Sequence, residues 1–144
     1  MAPNENILFK HSDIAELLKS VHTIAVLGIK PETHISQPAF YVPKYMQAAG
    51  FEIIPVPVYY PEVTEILGKK VYRKLIDIPE DLDMVNVFRR PQDIPQHTDD
   101  ILAKKPKSVW FQLGIVNDEV AETLAAAGIK VIQDKCLMVE HRYL

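Results

Sequence analysis

The chain has 144 residues, of which 48% are apolar and 24% charged, and its formal net charge is −3. That length corresponds to one ordinary domain with a sizeable core, and no apolar run approaches the roughly 20 residues of a membrane-spanning helix. The negative charge argues against a general nucleic-acid-binding surface, so an anionic ligand would need local positive groups.

Helical and strand-like patterns alternate along the chain. Residues 12–20 repeat apolar side chains at helical spacing after an Asp13-x-x-Glu16 start signal, which predicts an amphipathic leading helix. Five apolar runs bounded by turn residues then predict strands at 23–28, 51–56, 83–88, 108–112 and 129–133. Helical patterns between most of these runs predict helices at 37–50, 92–104 and 117–127, the last with Asn117 as its cap.

The segment between the second and third strands is less regular. Its proline and glycine residues suggest short helical turns at 62–68 and 72–76, within an ordered excursion over the sheet edge at 59–81. Two of the predicted helices, by contrast, end in the same Ala-Ala-Gly sequence, at 48–50 and 126–128. Glycine at such a position supplies the left-handed residue that turns the chain back into the sheet.

The alternation of strands and helices predicts an α/β fold. We expect a single Rossmann-like domain over residues 1–144, with the leading helix in 1–21 and a doubly wound parallel five-stranded sheet in the remainder. The expected strand order is 3-2-1-4-5, with a ligand crevice outside the carboxyl ends of the strands where the order reverses.

The first strand leads into candidate phosphate contacts. Gly28, Ile29 and Lys30 follow the strand directly, and Gln37 and Pro38 lie at the next helix start, where free N–H groups favour phosphate. The G-x-G-x-x-G pattern is absent and no acidic residue follows the second strand, which favours a nucleotide other than NAD. The alternative is that Gly28 only permits a tight turn.

Aromatic and proline rings follow the second strand. Pro57, Tyr59 and Tyr60 could flank an adenine, because such rings stack on any base. Packing of the same rings over the sheet edge is equally consistent with the sequence.

The third and fourth strands end in further candidates. Phe88, Arg89 and Arg90 follow the third strand, and the guanidinium groups could bind a phosphate bidentately. The alternative is a pair of surface arginines that bridge to acids such as Asp93. After the fourth strand, Gln112–Gly114 allows a ligand close to the backbone and predicts a second wall of the crevice.

The residues after the fifth strand are less specific. Cys136 could meet a ligand thiol, although a lone cysteine also fits as a small buried residue, and its being the only cysteine is consistent with a reducing cytoplasm. Glu140 and His141 could form an acid–base pair, or His141 could bond the end of a helix. The sequence has no metal-ligand spacing, nucleophile elbow or P-loop, so nothing in it requires an enzyme.

Taken in order, these segments resemble the small stand-alone CoA-binding proteins, which are similar in fold to the N-terminal domain of the succinyl-CoA synthetase alpha subunit. The resemblance extends from residue 22 to the C-terminus. Its carriers are Ala25-Val-Leu-Gly28, Gly50-Phe-Glu-Ile-Ile-Pro55-Val, Glu65-Ile-Leu-Gly68 with Val71-Tyr72, Asp77-Ile-Pro79, Val87-Phe88-Arg89-Arg90-Pro91, Val109-Trp110-Phe-Gln112-Leu-Gly114, and Asp134-Lys-Cys136-Leu-Met with Glu140-His141.

The resemblance implies a domain that holds the 3′-phospho-ADP part of CoA across the carboxyl ends of the strands. Gly28 and its turn would meet the pyrophosphate, and the segments after the second and third strands would flank adenosine and its 3′-phosphate. The Gln112–Gly114 turn would line the pantetheine path. Two segments depart from the family pattern: loop 30–37 is longer and lacks an Arg-x-Ser pattern, and the second strand exits into Pro57-Val58-Tyr59-Tyr60 rather than Val-Asn-Pro.

The functional expectation is a cytoplasmic protein that binds CoA or acyl-CoA without chemistry of its own and without a membrane or nucleic-acid partner. Two alternatives stay open. One is a nucleotide- or CoA-dependent enzyme that uses Cys136 or Glu140 and His141. The other is an interaction module without a ligand.

Overall fold

Five parallel strands form the central sheet of the computed structural model, which describes residues 3–144. These strands are β1 (Thr23–Leu27), β2 (Glu52–Val56), β5 (Met84–Val87), β6 (Ser108–Phe111) and β7 (Lys130–Ile132). Between β2 and β5 the short strands β3 (Glu65–Ile66) and β4 (Lys69–Lys70) pair antiparallel. The helices are α1 (His11–Ser20), α2 (Pro38–Ala48), α3 (Thr98–Lys104), α4 (Asp118–Ala126) and α5 (Leu137–Arg142).

Alternate strand residues face two separate cores, which confirms the doubly wound α/β fold. Ile24 and Val26 of β1 pack toward α1, α2 and α5, whereas Ala25 and Leu27 pack toward α3 and α4. Such alternation follows from the period of two along a strand. None of the helices in residues 3–144 is long and apolar enough to cross a membrane.

The strand order is β2-β1-β5-β6-β7, so the predicted order 3-2-1-4-5 is wrong. The third strand of the main sheet, β5, pairs with β1 rather than with β2. The outer edge of β2 is instead met by the excursion, because the Tyr72 N–H donates to the Pro55 carbonyl oxygen at 3.0 Å. Leu75, Ile78 and Leu82 then join the core on the α3 and α4 face. The order therefore reverses between β1 and β5.

Three local predictions need correction. The helical turns predicted at 62–68 are wrong, because residues 65–70 form a hairpin, with Leu67 and Gly68 at φ 54° and 73°, as a two-residue hairpin turn requires. Residues 72–76 give only one short turn, at Leu75–Asp77. The predicted helix 92–104 begins as α3 only at Thr98, after two 3-10 turns, because Pro95 has no N–H to donate four residues back.

The helix ends follow the sequence more closely. Gly50 and Gly128 have φ of 104° and 89°, and both close their helices with paired backbone bonds to earlier carbonyls, so this prediction is confirmed. The Asn117 side chain accepts from the Val120 amide and caps α4 as predicted. The leading helix is confirmed as α1, although its N-cap residue, Lys10, makes no side-chain capping bond.

Candidate functional site

The post-strand residues of β1, β5 and β6 lie side by side at the carboxyl edge of the sheet. Three backbone hydrogen bonds extend the ladder one residue past the strand ends: Gly28 N–H to Val56 O at 2.9 Å, Phe88 N–H to Leu27 O at 2.8 Å, and Gln112 N–H to Val87 O at 3.2 Å. These bonds align the segments that follow the strands. The reversal of strand order between β1 and β5 opens a crevice at that edge, as in other open α/β sheets.

A cleft of about 380 Å³ lies at this edge. Its walls come from the loop after β1, the start of α2 and the segments after β5 and β6. The sequence-predicted residues among its lining are Lys30, Gln37, Pro38, Phe88, Arg89, Arg90, Gln112 and Gly114. The lining residues that the sequence did not single out as contacts are Ala39, Pro91, Leu113 and Ile115.

Gly28 is required by the sheet itself. Its φ is 90°, and a Cβ at this position would lie 2.3 Å from the Phe88 carbonyl oxygen and 3.3 Å from Cδ of Arg89. A side chain cannot be accommodated against that backbone oxygen without moving β1 away from β5. This contact agrees with the alternative that Gly28 permits the turn, while its contact with a phosphate stays a prediction, since Gly28 is not among the residues that line the cleft. The Arg89 side chain lies over the end of β1 at the same point.

The loop after β1 is tied to the start of α2 through a proline. Pro43 lies inside α2 and has no N–H for the Ala39 carbonyl, which instead accepts from the Lys30 amide at 3.1 Å. The Lys30 ammonium donates to Oε1 of Gln37, the N-cap residue of α2, at 2.5 Å. A cation and the positive end of a helix therefore face the same cleft.

The two arginines after β5 have different partners. The Arg89 Nε–H donates to Nε2 of His97 at 3.1 Å, whereas the Arg90 Nε–H donates to Asp93 Oδ2 at 2.7 Å. The Arg90 ion pair is largely exposed and lowers the pKa of Asp93. Arg90 therefore agrees with the alternative of a surface arginine that bridges to Asp93, although it also lines the cleft. Arg89 is the half-buried arginine beside Gly28.

His97 lies behind Arg89 and was not identified from the sequence. Burial, and then the neighbouring Arg89 guanidinium, lower the pKa of the His97 imidazole below its ordinary value. The ring is therefore neutral at pH 7, which suits an imidazole nitrogen that accepts a hydrogen bond. The sequence offered no signal beyond a histidine eight positions after Arg89.

Two buried amides lie beneath the cleft. Gln112 is 4% exposed, and its Oε1 lies 3.4 Å from both Asn86 Nδ2 and the Leu137 amide nitrogen. Asn86 is fully buried in the middle of β5, and its Oδ1 has no hydrogen-bond partner among the described residues. Asn86 was also missed, although a polar residue in the middle of an apolar strand was the available signal.

Several predicted contacts lie outside the cleft lining. The Ile29 side chain is 1% exposed and packs in the core on the α1, α2 and α5 face, so only its backbone borders the turn. Pro57 is buried and Tyr59 is 74% exposed. The Tyr60 ring packs edge-on against His34, and its hydroxyl lies 3.3 Å from Nε2 of His34. Tyr60 therefore braces the long loop after β1.

The residues considered for catalysis are separated. Cys136 is half-buried and packs against the core beside α5. The His141 Nδ1 lies 2.9 Å from the Tyr45 hydroxyl, and its ring packs edge-on against Phe51, which immediately precedes β2. Glu140 instead faces His11 at 3.6 Å. His141 thus lies toward the amino edge of the sheet, opposite the cleft.

A larger hollow of about 420 Å³ lies between the N-terminal segment and α1. Glu5, Asp13 and Glu16 line it beside one lysine, Lys130, so its charge is unfavourable for an anion. Across residues 3–144, no group of three or more His, Cys, Asp and Glu side chains is arranged to hold a metal ion.

Comparisons with known proteins agree with this architecture. The sequence profile of a family described as "CoA binding domain" matches residues 22–142. "Uncharacterized protein YneT" of Bacillus subtilis (strain 168) is 37% identical over 130 residues, covering 90% of this chain and 93% of that protein. The structure of "cell-free ID.343" from Thermus thermophilus has a TM-score of 0.85 at 36% identity, covering 94% of this chain and 98% of that chain.

A more distant structure shares the fold. The dinucleotide-forming acetyl-coenzyme A synthetase 1 of Ca. Korarchaeum cryptofilum gives a TM-score of 0.65 at 21% identity. The match covers 81% of this chain but only 26% of the synthetase chain. The present fold therefore corresponds to one part of a much longer protein.

Proposed function

Since this chain belongs to the CoA binding domain family, we propose that it binds CoA or an acyl-CoA in the cleft at the carboxyl edge of its sheet. The observation that carries the proposal is the convergence of Lys30, Arg89 and the first turn of α2 on one cleft, in a chain whose net charge is −3. A phosphorylated ligand would find there the local positive groups that it needs in an acidic chain.

The proposed binding mode assigns each part of CoA to one wall. The pyrophosphate would lie over Gly28 against the first turn of α2, where the Ala39 amide has no acceptor within the helix. Arg89 would contact a phosphate group, with Arg90 at the outer rim. The adenosine would extend toward the segment of Pro57, Tyr59 and Tyr60.

The pantetheine arm would run along the opposite wall. Leu113 is 65% exposed there and provides an apolar surface, while Gln112 and Gly114 offer polar backbone beside it. A cleft of about 380 Å³ lies within the range of about 300–1,000 Å³ of small-molecule sites. An elongated ligand such as CoA would leave part of its length in solvent.

We propose that this binding occurs without chemistry on the ligand. The described lining of the cleft has no serine, cysteine, histidine, aspartate or glutamate, and the ammonium of its one lysine, Lys30, donates to Gln37 Oε1, so the lining presents no paired nucleophile and base. The enzyme alternative based on Glu140 and His141 would need a ligand that reaches the other edge of the sheet. Incubation of the protein with acetyl-CoA tests this point, and free thiol release above a buffer control would contradict it.

Titration calorimetry tests the ligand class. CoA should bind much more tightly than NAD, because no carboxylate follows Val56 to grip a ribose diol. NAD binding equal to or tighter than CoA binding would overturn the proposal. Native mass spectrometry of freshly purified protein gives an independent readout, since a retained ligand adds its own mass.

The two arginines provide a matched pair of variants. Arg89→Ala should weaken CoA binding by about 1.5–3 kcal/mol, the range for a hydrogen bond to a charged group. Arg90→Ala should change it far less, because its guanidinium already pairs with Asp93 in solvent. Arg89→Ala should also discriminate less between CoA and 3′-dephospho-CoA if Arg89 meets the 3′-phosphate. Parental CoA affinity in both variants at low salt would show that the ligand lies elsewhere.

A further inference from the structure

His97 touches the cleft only through Arg89. Arg89 lines the cleft and His97 does not, yet His97 Nε2 accepts the Arg89 Nε–H at 3.1 Å. An imidazole nitrogen can accept that bond only when it carries no proton. The bond leaves the two Nη groups of Arg89 free, and it fixes the plane of the guanidinium.

The two carboxylates that act on His97 already have partners. Asp93 accepts from Arg90, and Asp100 of α3 accepts from the amides of Leu75 and Ile76 at 2.8 and 3.1 Å. The orientation of Arg89 is therefore set by a neutral histidine rather than by an acid. With a neutral hydrogen-bond partner, the Arg89 guanidinium stays available to an anion.

We propose that His97 is the positioning residue for Arg89 in the ligand site, and that protonation of His97 releases Arg89 and weakens the binding of a phosphorylated ligand. This inference rests on the proposed function of the cleft. Protonation of His97 turns Nε2 from an acceptor into an N–H donor that faces the Arg89 Nε–H. It also places the imidazolium and guanidinium cations side by side. Arg89 would then have to turn away from the position that serves the ligand.

The groups that face His97 determine where this change occurs. Burial and the Arg89 guanidinium lower the pKa of the ring, whereas Asp100 on α3 and Asp93 on the preceding 3-10 turn raise it by smaller amounts. The net effect is a pKa below the ordinary value of about 6.5, so the change belongs to mildly acidic conditions. The site is fully formed at neutral pH.

The pH profile of CoA affinity distinguishes positioning from simple packing. His97→Gln keeps an oxygen acceptor that does not titrate, so we expect parental affinity at pH 7.5 and no His97-dependent loss at pH 5.5. Relative to that variant, the parent should lose affinity progressively as the pH falls below 6.5, and the loss should approach about three- to tenfold, the effect of one hydrogen bond, once His97 is protonated. Any titration of the CoA phosphates is common to both proteins. Equal pH profiles for parent and His97→Gln would overturn the inference.

Two further variants serve as controls. His97→Leu removes the acceptor at every pH and should weaken CoA binding already at pH 7.5. His22→Gln changes an exposed histidine just before β1, at the amino edge of the sheet, and should keep the parental profile. The free energy of unfolding of each variant identifies any loss that is due to misfolding.

A ligand-free measurement separates this inference from the proposed function. In an NMR titration, Arg89→Ala should raise the pKa of His97 toward its ordinary value, and an unchanged pKa would refute the coupling even if CoA binds. Saturating CoA should lower the pKa of His97 further, since binding that prefers the neutral ring must disfavour its protonation. A raised pKa would mean that binding favours the protonated ring, and it would overturn the inference. Absence of CoA binding at any pH would refute the proposed function while leaving the Arg89 result interpretable.

Discussion

Replacement of Gly28 by alanine tests the geometry from which the site is built. An added Cβ would lie 2.3 Å from the Phe88 carbonyl oxygen, and Cβ atoms in proteins essentially never approach another heavy atom to less than 3.0 Å. The contacted atom is backbone, so no rotation of a side chain relieves it. Either β1 and β5 separate at their carboxyl ends, or the Gly28 turn changes conformation.

The expected loss of stability in Gly28→Ala has two parts, which a comparison with a second glycine, Gly128, separates. A non-glycine residue in a left-handed conformation costs about 1–2 kcal/mol, and overpacking of a well-packed site costs about 1–3 kcal/mol more. Gly28→Ala should therefore reduce the free energy of unfolding by about 2–5 kcal/mol. Gly128 has nearly the same φ, 89° against 90°, but a Cβ there meets nothing within 4 Å. Gly128→Ala should consequently show the conformational part alone.

Urea unfolding of the parent and both variants, followed by circular dichroism, gives the comparison. The difference between the two alanine variants measures the clash at the end of β1. CoA affinity should fall in Gly28→Ala and stay parental in Gly128→Ala, because only the first variant displaces Arg89 and the α2 loop. Equal losses of stability in the two variants would refute the claim that β5 backbone lies this close to Gly28.

Three further predictions concern other parts of the molecule. Burial alone would raise the pKa of Asp83, but the amides of Thr23 and His22 and the Lys107 ammonium hold that pKa below the ordinary value. Asp83→Asn should therefore lower the free energy of unfolding in urea by about 2 kcal/mol at pH 7. The difference in stability between parent and variant should shrink as the pH falls from about 4 through the lowered pKa. Asn117→Ala should cost about 1–2 kcal/mol by thermal unfolding, since it removes the α4 cap, whereas a loss near zero would contradict that role. Incubation of the folded protein with oxidised CoA should give no mixed disulfide in the intact mass, because Cys136 packs against the core outside the cleft lining; an adduct would instead bring its thiol to the ligand.

Secondary structure was predictable wherever one residue type determines the backbone. The apolar runs around Val26 and Val109 form buried strands, because a short run of apolar residues is a pattern that the sequence shows directly. Gly50 and Gly128 end their helices, because the left-handed residue of a helix end is a local requirement. The hairpin at 65–70 was not predictable in the same way. Its turn places Leu67, a non-glycine residue, at positive φ, and the surrounding fold must hold it there.

The composition of the site was partly predictable from topology alone. Residues directly after parallel strands meet at one edge, which is why Lys30, Arg89 and Gln112 line one cleft. The direction of individual side chains was not available, so Ile29 was expected at the ligand and lies in the core. His97 lies directly before α3, whose start Pro95 delays, and its contact with Arg89 depends on that irregular path.

The strand order decides which charge faces the ligand. In the predicted order, β6 would neighbour β1, and the reversal between these two strands would place Gln112 next to Gly28. In the observed order β5 neighbours β1, and the chain that leaves β5 brings Cδ of Arg89 to 3.3 Å from where a Cβ on Gly28 would lie. Hydrophobic periodicity reports which residues are buried but not which strand is the neighbour, since both orders bury the same side chains. The Tyr72 N–H bond to the Pro55 carbonyl oxygen shows that the excursion, rather than β5, borders the outer edge of β2, and the pairing of β5 with β1 brings the cationic Arg89, rather than the neutral Gln112, next to Gly28.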